Sequence, residues 1–192
     1  MSVDPNNKYT GMQAEVYRKG AEQWSLAARD HVVGSFDAHN NHPGYEHLFT
    51  GFDTTKMFAL DFGCGPGRNL VKYHDRFACL DGADISDINL RNALLWCEHN
   101  NVSVPALFKT DGVSLDTVPS SIYDLIFSTI TMQHIAVWDI RFAILQDMYR
   151  VLKSGGWISL QMGFGDTKSD AVDYDANNYD ADSTNGNMDV RI

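Results

Sequence analysis

The run Asp61-Phe62-Gly63-Cys64-Gly65-Pro66-Gly67 sets one carboxylate ahead of three glycines at alternate positions. Glycine takes positive φ without strain and lets a ligand lie against bare backbone. The first free N–H groups of a helix opening there would face any anion placed at the turn. Two more aspartates close apolar runs further along: Asp84 ends 78–84, and Asp111-Gly112 follows 106–110. At the first of these places a carboxylate can accept from both hydroxyls of a ribose. At the second, Asp-Gly is turn chemistry. His134 adds a group able to take a proton near neutral pH. These residues describe a site for a nucleotide-type ligand with acid–base chemistry beside it.

The elements that must position them follow from the alternation. From Lys56 onward, strands are expected at Met57–Phe62, Ala78–Asp84, Ala106–Thr110, Tyr123–Thr129 and Trp157–Met162. Several are nearly continuous in apolar residues, as strands covered on both faces are. Helical stripes fill the intervals. Leu90, Ala93, Leu94 and Cys97 form one expected core stripe, and Trp138, Phe142, Leu145, Tyr149 and Leu152 another, with Gly155 as the helix C-cap. Such alternation predicts an α/β fold, a doubly wound, mainly parallel Rossmann-like sheet with helices on both faces. Ligands of such sheets bind beyond the carboxyl ends of the strands, where the strand order reverses.

Composition narrows the function. At 192 residues with 44% hydrophobic and 21% charged, the chain can bury one core. Its formal charge of -10, from 25 acidic against 15 basic residues, disfavours a nucleic-acid partner and favours a small-molecule one. Cys64, Cys79 and Cys97 lack metal-ligand spacing and read as free thiols of a reducing compartment. With no secretory leader and no apolar run of membrane length, the expectation is a cytoplasmic protein that uses no membrane. The sequence is silent on oligomeric state.

The glycine run departs from the dinucleotide fingerprint, because Arg68 stands where the third glycine of G-x-G-x-x-G belongs. Arg68 itself is expected at the helix start, facing solvent, with contact to the ligand as the alternative. The order of motifs instead resembles the class I S-adenosylmethionine (SAM) dependent methyltransferases. It runs from Asp61 to Gly67 through Gly82-Ala83-Asp84-Ile85-Ser86, Thr110-Asp111-Gly112 and Tyr123 to Ser128, then to Arg150-Val151-Leu152-Lys153-Ser154-Gly155-Gly156-Trp157. Around the fourth strand and the Lys153-Ser154-Gly155-Gly156 turn it is similar to small-molecule enzymes of the ubiquinone-biosynthesis type. The resemblance implies S-adenosylmethionine as cofactor. Cofactor-binding residues would be Asp61, Gly63, Cys64, Gly65, Gly67, Asp84, Ile85, Asp111, Gly112 and Ser128. Asp61 would take the ammonium, Asp84 the ribose and Asp111 the adenine amine. His134, in Met132-Gln133-His134-Ile135, would be the catalytic base or a residue that orients its loop. The implied reaction moves a methyl to an O, N or C nucleophile of a small molecule. Two rivals stay open: an NAD-dependent oxidoreductase or epimerase, and a SAM-binding protein without catalysis.

Three regions are expected. Residues 1–55 form a helical and loop segment, with a helix over 14–30, placed to act as a lid; 56–164 form the SAM-binding core; 165–192 form an acidic polar tail, mobile or poorly packed. The family adds a helix and two edge strands after its fifth strand, so these edge strands are expected to be missing or truncated, with 188–192 beginning a sixth strand. His31, His39, His42 and His47 read as loop histidines rather than metal ligands.

Overall fold

A computed structural model describes residues 3–27, 44–162, 172–173, 176–180 and 190–191. The apolar runs become five parallel strands: β1 Phe58–Phe62, β2 Cys79–Asp84, β3 Leu107–Lys109, β4 Tyr123–Ser128 and β5 Leu152–Leu160. They lie in the order β3-β2-β1-β4-β5, so the order reverses between β1 and β4. Side chains on successive strand residues point to opposite faces, and the two cores show it. Leu60, Phe62, Ala83 and Ile126 belong to one cluster, and Ala59, Leu80, Leu125 and Phe127 to the other.

Helices cover both faces. α1 (Lys8–Gly20) and α4 (Trp138–Val151) contribute Tyr9, Ile140, Ile144 and Met148 to the first cluster. α2 (Arg68–Tyr73) and α3 (Asp87–His99) contribute Leu70, Tyr73, Ala93 and Cys97 to the second. Side-chain caps start two of these helices: Asn7 accepts from the Thr10 N–H, and Ser86 from that of Asn89. α1 thus begins six residues earlier than the helix expected from Ala14, and a short 3-10 turn, Ala21–Trp24, follows it.

Four other expectations need correction. First, the core stripe of α4 is Ile140, Ile144, Met148 and Val151; Phe142 is 47% and Tyr149 80% exposed. The helix carries apolar residues on two faces, and periodicity alone selected the wrong one. Second, Gly155 is not a helix cap. α4 ends at Val151, β5 starts at Leu152, and Gly155 at φ 81 lies in an irregularity where Tyr123 pairs with Leu152 but Leu125 with Trp157. Third, part of the acidic tail is packed. The N–H of Trp138 donates to the Ala176 carbonyl and that of Asn178 to the Ala136 carbonyl, while Asp180 pairs with Lys8. Fourth, Val190–Arg191 is a strand but pairs in parallel with Val172–Asp173, apart from the main sheet. His47 sits in the 3-10 turn Glu46–Phe49, and His31, His39 and His42 lie outside the described residues.

Candidate functional site

The glycine turn leaves β1 at the point of strand reversal and opens α2. Gly63, Gly65 and Gly67 all have positive φ, at 75, 53 and 87. Their surroundings separate their roles. A Cβ on Gly63 would lie 2.1 Å from Thr131 Oγ1, and one on Gly67 2.9 Å from the Ala93 Cβ. Gly63 thus admits the loop after β4, and Gly67 lets α3 pack against α2. A Cβ on Gly65 would meet nothing within 4 Å among the described residues, so this is the glycine whose bare face opens to a ligand. Cys64 is buried, with its sulfur 2.8 Å from where a Gly82 Cβ would be; it fills the space between the turn and β2.

Two buried carboxylates flank this opening. Asp84, at the end of β2, accepts from the N–H groups of Gly65 (2.9 Å) and Ser86 (2.8 Å) and from the Asn89 amide (3.3 Å). Burial raises its carboxyl above the ordinary range, against the pull of those donors and of Lys109. Asp61, fully buried, accepts only from the Asn69 amide at 3.2 Å among the described residues; its Oδ1 has no hydrogen-bond partner there. Desolvation pushes Asp61 up to about 7, opposed by Asn69 and Arg68 and assisted by Asp84.

The remaining residues named from sequence lie around the same strand ends, with different commitments. Ile85 packs against Gly112, its Cδ1 2.7 Å from the position of a Cβ there, and its carbonyl accepts from Lys109. Asp111 is exposed; it accepts from the N–H groups of Val113 and Ser114 and from the Ser114 hydroxyl, which fixes its turn. Ser128 is buried and donates to the Phe62 carbonyl at 2.7 Å, which locks β4 to β1. His134 is buried in the 3-10 turn Met132–His134, its Nε2 3.5 Å from the Gln133 amide. Arg68 is not solvent-facing: it is 8% exposed, with its guanidinium 5.0 Å from the centre of the Tyr45 ring.

The underside of α1 also faces the strand ends, a role that no motif marks in the sequence. Tyr9, Thr10, Gln13 and Tyr17 share one helix face by spacing. The Tyr9 hydroxyl accepts from the Ala136 N–H at 2.7 Å and donates to the His134 carbonyl at 3.0 Å. Thr10 lies 3.5 Å from the position of a Gly112 Cβ. Burial and then the Asp84 carboxylate raise the Tyr17 hydroxyl above its ordinary value. The helix therefore crosses the strand ends from β4 to β2. α3 fastens its far end, where Asn92 donates to the Ala21 carbonyl and the Trp96 indole to that of Trp24. The signal in the sequence was Asn7 as a cap with aromatic residues at 9 and 17 on one face.

A family model described as a methyltransferase domain matches residues 59–156, just over half of the 192 residues. The chain belongs to this family. Its five-stranded parallel sheet is that of the class I SAM-dependent methyltransferases. None of the curated proteins compared matches it. Solved structures do. The YcgJ protein of Bacillus subtilis is 21% identical over 63% of this chain and 51% of that one, with a TM-score of 0.54. Phosphoethanolamine N-methyltransferase 1 of Haemonchus contortus, solved with phosphoethanolamine and S-adenosylhomocysteine, is 19% identical over 77% and 32%, at 0.54. Geranyl diphosphate C-methyltransferase of Streptomyces coelicolor, solved with Mg2+, geranyl diphosphate and S-adenosylhomocysteine, is 15% identical over 82% and 65%, at 0.58. In each case this chain spans less than two thirds of the other protein's length. At these identities the likeness concerns the fold. No helix among the described residues is long and apolar enough to cross a membrane.

Proposed function

We propose that this domain binds S-adenosylmethionine beside Gly65 and transfers its methyl group to an O, N or C nucleophile of a small molecule. The observation that carries the reading is the pairing of two buried carboxylates with one open glycine at the strand reversal. Asp61 Oδ1 lacks a donor among the described residues, as an acceptor awaiting an ammonium would. Asp84 is held by three donors with its oxygens fixed beside the turn, suited to a ribose diol. Gly112, with Ile85 packed against it, stands at the place this reading gives to the flat ring. The residues present thus fit the cofactor.

Bound there, S-adenosylmethionine would supply a methyl group on a sulfonium, already a strong electrophile. The work left to the protein is alignment, exclusion of water and, for a protonated nucleophile, removal of a proton. Residues 1–55 serve as the lid, with α1 closing the strand ends. His134 is the candidate base, on the turn that Tyr9 holds through its carbonyl. A small acceptor accords with a chain of charge -10, and a cytoplasmic location with its free Cys64, Cys79 and Cys97.

Calorimetric titration with S-adenosylhomocysteine tests this, with Asp84→Ala as the variant and NADH as competitor. Saturable binding that the variant loses and NADH does not displace is expected. No binding by the folded wild-type chain, or displacement by NADH, would overturn the reading.

A further inference from the structure

The side chain that addresses Asp61 is Asn69, in the first turn of α2. Its Nδ2 donates to Asp61 Oδ2 at 3.2 Å and to Thr129 Oγ1 at 3.0 Å, which uses both of its N–H bonds. All three residues are at most 5% exposed. Thr129 stands where β4 gives way to the loop. Beyond it, Ile130 adopts φ 54, and the Thr131 hydroxyl reaches back to the carbonyls of Gly63 and Thr129. One amide therefore connects the acid of β1, the start of α2 and the end of β4.

We propose that Asn69 is a positioning residue for the cofactor: it orients the Asp61 carboxylate with Oδ2 held and Oδ1 open to the ligand's ammonium, and it fixes this orientation relative to the end of β4. The inference rests on the SAM reading above. The physical need is clear from the surroundings of Asp61. The charged and titratable groups facing it are Arg68 from α2, Asp84 from β2 and the Cys64 thiol of the turn, which burial keeps neutral. Of these only Arg68 favours the ionised carboxylate. Without the Asn69 donor, burial and Asp84 would leave Asp61 neutral at working pH, and a neutral carboxyl is a poor partner for a cation.

The consequence is a pH dependence that a structural role alone would not produce. In the wild-type chain, S-adenosylhomocysteine affinity should weaken as pH falls through about 7, as Asp61 takes up its proton. In Asn69→Ala the fall should begin about one pH unit higher, so that binding is about fivefold weaker at pH 7 but within about twofold of wild type at pH 9. Thr129→Val, which keeps the bond to Asp61, should leave the midpoint where it was. A uniform loss at every pH in a folded Asn69→Ala chain, or an unchanged profile, would overturn the proposal.

Should Asn69→Ala fail to fold, the wild-type chain decides. The Asn69 side-chain amide resonance, followed by nitrogen-15 NMR, should titrate with the midpoint seen in binding, and an amide that ignores pH would refute the coupling. Absence of wild-type binding at every pH would instead remove the cofactor reading, so the two failures are distinct.

Discussion

Tyr9→Phe tests whether α1 is held down by its hydroxyl. The ring is 2% exposed, and phenylalanine preserves its packing, so the change removes the hydroxyl's two backbone hydrogen bonds together with its polar contact to Gln13. The Ala136 N–H loses its acceptor in a buried position, and the His134 carbonyl loses a donor. An orphaned buried donor costs about 1–3 kcal/mol and a net hydrogen bond about 1 kcal/mol, together about 3 kcal/mol. For a domain of this size that lowers Tm by about 6–12 °C. Scanning calorimetry at pH 7 measures it. A variant within about 2 °C of wild type would refute the view that this hydroxyl anchors α1.

A second arm uses pH. Burial pushes the Tyr9 hydroxyl up to about 12. The folded chain therefore keeps a proton that the unfolded chain releases near 10, so this contribution is complete below pH 10 and declines between 10 and 12. The wild-type chain should lose stability across that interval more steeply than Tyr9→Phe; parallel curves would count against the assignment.

Three further outcomes follow from particular contacts. Gly65→Ala, with free space but φ 53, should cost only about 1 kcal/mol of stability yet abolish S-adenosylhomocysteine binding, whereas Gly67→Ala should destabilise the chain more, because its new methyl meets Ala93; calorimetry of both separates the roles. Met148→Ala should lower stability by about 2–5 kcal/mol and Tyr149→Ser by less than about 0.5 kcal/mol in urea denaturation, since only the first is buried; equal losses would contradict the core stripe assigned to α4. Ile130→Asn should raise Tm by a few degrees, because asparagine tolerates the left-handed backbone that strains a β-branched side chain; a drop would show that the 37%-exposed isoleucine packs more than its surface suggests.

The sheet was legible because buried parallel strands are short apolar runs punctuated by glycine and aspartate, and each such run here is a strand. The glycine turn and Asp84 were legible for the same reason: turn chemistry is local. What escaped was set by distant packing. Which face of α4 is buried depends on where the sheet lies, and two apolar stripes leave that undecided in one dimension. Arg68 looked like a surface cation until the Tyr45 ring arrived from outside the core motif. Asn69 gave no sign of its role, since its two partners stand 8 and 60 residues away. Asp111 shows the opposite limit: its turn was anticipated, and its oxygens serve that turn.

The bonds between Tyr9 and the His134–Ala136 backbone span 125 and 127 residues. Closing so long a loop carries an entropic penalty that no local contact offsets, and contacts of this separation form late. During synthesis the helix that covers the strand ends precedes all of its docking surface, and the β4 end of that surface exists only once residue 136 has left the ribosome. Until then the end of β4 stays uncovered. The order of events in translation thus places this closure after β1 to β4 have been made.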